Sequence, residues 1–217
     1  MKTVIYSTLY QVCILTLTLT SCKKDKKIEL AVYHLDGLTN AKVQNAKCGI
    51  DLSNGLLYSI DEGKPISDKI DIAYGFMMGG NPSIYERIFL DINRAGCLCA
   101  GATFFSYGDD KNPKLGYSTY TTKNSTELYP ATGIVDFEKI ASEKTKSALD
   151  QYFPKDVVVN NEAFLSANGS PITYPYIFFK TTSGKRGVIK VGVFGVNLSA
   201  NYQLETNPIS IDIIVEL

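Results

Sequence analysis

The chain has 217 residues, 45% of them hydrophobic and 20% charged, with 14 tyrosines, 10 phenylalanines and no tryptophan. That balance supplies enough apolar surface for a buried core and excludes a disordered polyelectrolyte. The 22 lysines and arginines are matched by 22 aspartates and glutamates, so no basic field exists to attract nucleic acid.

The first element is a leader. Lys2 gives a short positive start, Val4 to Leu19 are mostly apolar with Ser, Thr and Gln interspersed, and charge then arrives abruptly. This is the anatomy of a secretory signal peptide over residues 1–21, and the run is too ragged for a permanent membrane span. Leu-Thr-Ser-Cys at 19–22 resembles the lipobox of bacterial lipoproteins, in which cleavage before the cysteine exposes a thiol and an amine for acylation. Cys22 is therefore the expected lipid attachment residue. Several acyl chains anchor firmly, each buried methylene contributing about 0.8 kcal/mol. Residues 22–28, with Lys23, Lys24, Lys26 and Lys27, read as a polar tether, and residues 29–217 as a single domain.

Removing the leader takes Cys13, and lipidation takes Cys22. Cys48, Cys97 and Cys99 remain, an odd number in an oxidising compartment. Cys97 and Cys99 share a strand face, and Cys48 is free to pair with either or to serve as a small buried hydrophobe. No C-x-x-C occurs, and no metal site is expected.

Most of the domain reads as short β-branched and aromatic runs between turn signals. Strands are expected at 29–35, 55–60 (after the turn signal Ser53-Asn54-Gly55), 69–78, 85–92 and 97–108. Residues 107–133 are polar and tyrosine-rich, and read as loop with one strand at 117–122. A single helix is expected over 136–153, with Asp136 as N-cap, Pro154 as stop, and Phe137, Ile140, Ala141, Ala148, Leu149 and Tyr152 on one stripe. Two more strands, 174–182 and 185–197, flank the turn Ser183-Gly184. In the last strand, 209–217, Ile209, Ile211, Ile213, Val215 and Leu217 share one face, and Ser210, Asp212 and Glu216 the other. The fold class is mainly β, a sandwich or pair of twisted sheets, with one amphipathic helix packed on the sheet.

Catalytic constellations are absent from this pattern. His34, the one histidine, lies in the first strand; no G-x-S-x-G supplies a nucleophile elbow, and no Gly-rich loop follows a strand and opens a helix. The chain is expected not to be an enzyme. Two uncharged stretches are the candidate ligand contacts. One is Gly75–Pro82 with Met77 and Met78: core residues on one reading, soft ligands for a flat cofactor on the other, since a thioether is a known axial ligand of haem iron. The other is the tyrosine set Tyr107, Tyr117, Tyr120 and Tyr129. As exposed loop residues these offer contact surface; the alternative is packing over the sheet edge.

The blocks "DLSNGLLYSIDEGKPISDKIDIAYGF" (51–76) and "YPYIFFKTTSGKRGVIKV" (174–191) resemble the HmuY-type lipoproteins of Bacteroidetes. Asp71, Ile72, Ala73 and Tyr74 match that family's W-D-I-A-F-like strand, with Ile70 in the tryptophan place. Tyr176, Phe178, Thr181, Gly184 and Lys185 match its hairpin. The resemblance implies a mostly β fold and a lipoprotein of the outer membrane that captures a small ligand. Haem is one candidate, passed in the best-understood members to an outer-membrane transporter. Iron is held there by histidine pairs, or in relatives by methionines; this chain departs from the histidine pattern, with His34 alone. The alternative function is a structural or adhesion lipoprotein, a subunit of a surface complex, using the tyrosine-rich loop.

Overall fold

The computed structural model describes residues 27–39, 45–78, 85–95, 116–131, 133–155, 160, 162–167, 175–192 and 208–217. Their strands form two five-stranded sheets, every neighbouring pair antiparallel. The strands are β1 (Leu30–Leu38), β2 (Gly49–Asp51), β3 (Leu56–Tyr58), β4 (Ile72–Met78), β5 (Tyr85–Asp91), β6 (Glu127–Pro130), β7 (Glu162–Ala167), β8 (Tyr176–Lys180), β9 (Arg186–Val191) and β10 (Ile209–Glu216). The first sheet has the order β1-β10-β9-β8-β6 and the second β3-β2-β4-β5-β7. The mainly β fold expected from the sequence is the one that forms.

The period-two pattern builds the sandwich. Ile209, Ile211, Ile213 and Val215 of β10 turn inward and join Ile50, Leu52, Ile72, Tyr74 and Phe89 of the facing sheet in one buried cluster. Much of each outer face is covered too, which alternation alone does not foretell, while Val32 and His34 of β1 stay exposed. Helices α3 (Phe137–Glu143) and α4 (Lys146–Asp150) bring Phe137, Ile140 and Leu149 onto Phe178, Val188 and Ile214 of the first sheet. Over the second sheet, α1 (Ile60–Gly63) and the 3-10 segments Lys64–Lys69 and Tyr117–Thr119 bring Ile60, Tyr117 and Tyr120 against Cys48, Ala73, Ile88 and Leu90. The short helix α2 (Ile92–Ala95) ends β5.

Several expectations need correction. The helix over 136–153 is two helices, broken where Lys144 adopts the left-handed conformation at φ 52° and Thr145 caps the next helix by accepting from the Ala148 N–H. The break frees the Lys144 carbonyl, which accepts the N–H groups of Glu29 and Leu30 at 2.9 and 3.2 Å. Local periodicity carries no sign of that long-range pairing. The strand expected at 55–60 stops at Tyr58 because Ser59 and Glu62 form a capping box that starts α1. The strand expected at 117–122 is a 3-10 turn at Tyr117–Thr119. The outer face of the last strand is covered at its end, where Ile214 and Glu216 lie under the helices, while Ser210 and Asp212 stay partly exposed; Leu217, expected on the inward face, is exposed. Strands β2, β6 and β7 have no counterpart in the sequence reading. The strand expected at 97–108 lies outside the described residues.

The sandwich has two distinct ends. Leu30 pairs with Glu216 and Gly187 with Val215, so β1 begins beside the β8–β9 turn. The sheet edges coincide, β1 against β3 and β6 against β7. β4 leaves the same end and runs away from it to Met78, a span of about 20 Å for a strand of this length.

Candidate functional site

The two blocks that carry the family resemblance meet in space at the end where β1 begins. Asp51 organises the β2–β3 turn: its carboxylate accepts the Asn54 N–H at 3.0 Å and the Asn54 side-chain amide at 2.8 Å. Gly55 follows at φ 61°, and a Cβ there would collide with the Tyr33 ring. Asp71, at the foot of β4, accepts the Leu52 N–H at 2.9 Å and ties this turn to the central strand. Across from them the Thr181 hydroxyl accepts the Lys185 N–H at 3.1 Å, while Gly184 at φ 87° closes the β8–β9 turn. Between the turns lies a cleft of about 310 Å³ whose lining includes Asp51, Asp68, Asp71, Asn124, Thr182 and Ser183.

Burial pushes the Asp71 carboxyl up to about 7, and the neighbouring Asp51 charge adds to that; the Leu52 and Ser53 N–H groups and Lys185 oppose it. Asn124 donates to the carbonyls of Asp68 and Ile70 at 2.8 and 2.9 Å, and Thr182 exchanges hydrogen bonds with the Ser125 backbone at 3.0 and 3.1 Å. Asp51, Asp71, Asn124 and Thr182 therefore hold backbone in place. The cleft is a joint between turns, and these residues in it act on the fold. Among the described residues no group of three His, Cys, Asp or Glu side chains is set to hold a metal ion.

Tyr117 and Tyr120, for which both exposed ligand contact and packing over the sheet were open, are sealed in the second sheet's cover at 1% and 4% exposure. The Tyr117 hydroxyl lies 3.2 Å from the Cys48 sulfur, and Tyr120 donates to the Ile60 carbonyl at 3.0 Å. Their rings meet edge to face at 5.1 Å. Burial raises both phenols well above the ordinary tyrosine value. Packing rather than contact surface is thus the role of both, and apolar neighbours bury them because each hydroxyl finds a partner. Tyr129 is likewise buried, in the first sheet's cover. Tyr107 lies outside the described residues, as do Cys22, Cys97 and Cys99. Cys48 is a free, buried thiol, pushed up to about 12 by burial, which makes it a poor nucleophile or ligand.

Met77 and Met78 end β4, paired in register with Glu86 and Tyr85, at the end of the sandwich opposite the cleft. His34 sits opposite Asp212 on the outer surface, its Nδ1 2.6 Å from Asp212 and its Nε2 3.1 Å from Asp36. With a carboxylate on each ring nitrogen it does not fit as a haem ligand. Sequence reasoning missed Asp51, Asn124 and Thr182 as a set; the Asp-x-x-Asn turn at 51–54 was the one local signal. Comparison of the chain with protein-family models, with curated proteins and with solved structures finds no match.

Proposed function

We propose that this chain is a lipid-anchored, non-enzymatic binding protein of HmuY type. It is tethered at the outer membrane through acylated Cys22, captures a small ligand and delivers it to an outer-membrane transporter. The observation that supports this reading is the polarity of the sandwich. The chain enters at the end holding the β8–β9 turn, and β4 runs from that end to Met77 and Met78 at the other. A tether at one end leaves the opposite end facing away from the membrane, where a ligand is met. Haem is the ligand to test first. The family's histidine pairs have no counterpart, and the burial of Tyr117, Tyr120 and Cys48 withdraws them as contacts. Met77 and Met78 are consecutive positions of β4 that do not share a face, so each remains as a single candidate ligand to the iron, for which a thioether is a suitable soft ligand. The same burial removes Tyr117 and Tyr120 from the adhesion reading.

The test is a haemin titration of the chain from Lys23 onward, followed in the visible spectrum under oxidising and reducing conditions. A sharpened, shifted Soret band that disappears in the Met77→Ala, Met78→Ala double variant supports haem capture. No band under either condition removes haem. Cys22→Ser is expected to release the protein from membranes, and its retention there would refute the anchor.

A further inference from the structure

We infer that His34, the one histidine of the chain, is a proton-operated latch that fastens the bulge of the edge strand β1 to β10. The latch is independent of the anchor and of the ligand. Nδ1 of the ring lies 2.6 Å from the Asp212 carboxylate, and Nε2 lies 3.1 Å from that of Asp36. A carboxylate only accepts, and a neutral imidazole has one N–H to give. Only the imidazolium makes both contacts at once, so the arrangement is that of the protonated ring. The hydrogen bond to Asp212 and the charge of Asp36 raise the ring above its ordinary 6.5.

The two partners differ in place. Asp212 lies across from His34 on β10 and is 33% exposed; Asp36 is on β1 itself and 75% exposed. Asp36 and Gly37 stand where the register slips, between Leu35, opposite Ile211, and Leu38, opposite Ile209. Gly37 takes φ 86° there, and the extra residue lets Leu35 and Leu38 both reach the core. Among the described residues, the charged groups facing the ring form one row across the outer face. Asp36, His34 and Asp212 are followed by Lys190, opposite Asp212 on β9, with the Tyr176 phenol of β8 beside it, and by Glu138 of α3, 2.7 Å from Lys190. With the proton bound, the charges alternate along the row. Without it, Nδ1–H stays on the nearer and less exposed Asp212, and Asp36 faces the lone pair of Nε2. Asp36 is then released, and the bulge loses its tie to β10. The latch is closed below the ordinary imidazole value and opens as pH rises through the raised one. Because the contacts are exposed, what changes is local order in the edge strand rather than global stability.

A single histidine gives a single imidazole in the nuclear magnetic resonance spectrum, and its ring nitrogen shifts separate the imidazolium from each neutral tautomer. The full chain in detergent micelles is titrated from about pH 5 to 9, and the imidazole is followed together with the backbone amides of Asp36 and Gly37. The expected ring midpoint lies above 6.5, the proton leaves from Nε2, and both amides move with that same midpoint. Asp212→Asn is expected to lower the ring midpoint most, and Asp36→Asn to lower it less. His34→Gln should abolish the amide titration. A ring midpoint at or below 6.5 overturns the latch, as does loss of the proton from Nδ1, which would leave Asp36 bound. Amides of Asp36 and Gly37 that do not follow the ring, or that titrate unchanged in His34→Gln, overturn it as well.

Discussion

The two sheets are covered on their outer faces by different physics. Over the first sheet the cover is helical. Phe137 stacks on Tyr176 at 6.3 Å, and Phe153 meets Phe178 edge to face at 5.6 Å. Charges rim it: Arg186 reaches Asp150 at 2.8 Å and Glu216 at 2.6 Å, and Lys190 reaches Glu138 at 2.7 Å. Over the second sheet the cover is mostly irregular chain, fastened by buried polar groups. Tyr117 meets Cys48, Tyr120 meets Ile60, Asn124 meets Asp68 and Ile70, and the Ser67 hydroxyl accepts the Thr122 N–H at 3.1 Å. The short helices satisfy part of their own backbone, Asp136 and Thr145 cap their starts, and an apolar stripe does the rest. Irregular chain does not, so side chains must complete its hydrogen bonds before it can be buried.

The largest test of this difference is Tyr117→Ala, which empties a fully buried ring site. It is expected to cost about 3–5 kcal/mol in urea denaturation. Tyr117→Phe keeps the ring but leaves the Cys48 thiol without its partner and is expected to cost about 1 kcal/mol. A null effect of the second change would make the polar fastening dispensable. In the helical cover the corresponding break is Glu216→Gln, expected to cost about 1.5–3 kcal/mol by removing the charged acceptor of Arg186. Burial tends to raise the Glu216 carboxyl, but the hydrogen bonds and charge of Arg186 outweigh it and hold it below its ordinary 4.5. Its stabilisation is present above that value and lost as pH falls through the depressed one; the variant should lack this acid sensitivity.

Asp71, at the joint between the turns, sharpens the comparison with the opposite sign. Its carboxyl is raised from 3.8 to about 7, so its contribution is full below 3.8 and is lost as pH rises towards about 7. The thermal midpoint should fall across that window in the wild-type chain, and the slope should vanish in Asp71→Asn. A similarly small effect, of the opposite sign to Tyr117→Phe, is expected at the helix break. Lys144→Gly relieves the left-handed strain and should stabilise by about 1 kcal/mol. A loss there instead would mean that the Lys144 side chain holds the two helices together.

Legibility in the sequence follows the same division. The β10 alternation and the pair Phe137–Ile140 were readable because period and packing coincide, and both reach the cores expected of them; Leu149 reaches the same core from the second helix, across the break. The Ser183-Gly184 turn was readable from glycine's tolerance of positive φ. Tyr117 and Tyr120 were not: a polar, glycine- and proline-punctuated context marks a loop, and a loop buried through two phenol hydroxyls has the same composition as an exposed one.

By itself the sequence determined the mainly β class, the β8–β9 hairpin and the inward face of β10. Each is a local pattern, carried by residues a few positions apart. The tertiary structure alone decided that much of each outer face is covered, that the expected helix breaks to pair Lys144 with the start of β1, and that the β2–β3 and β8–β9 turns meet at one end while Met77 and Met78 lie at the other. Those outcomes depend on partners far along the chain, such as Cys48 with Tyr117 and Leu30 with Glu216, and composition and period carry no record of such distances.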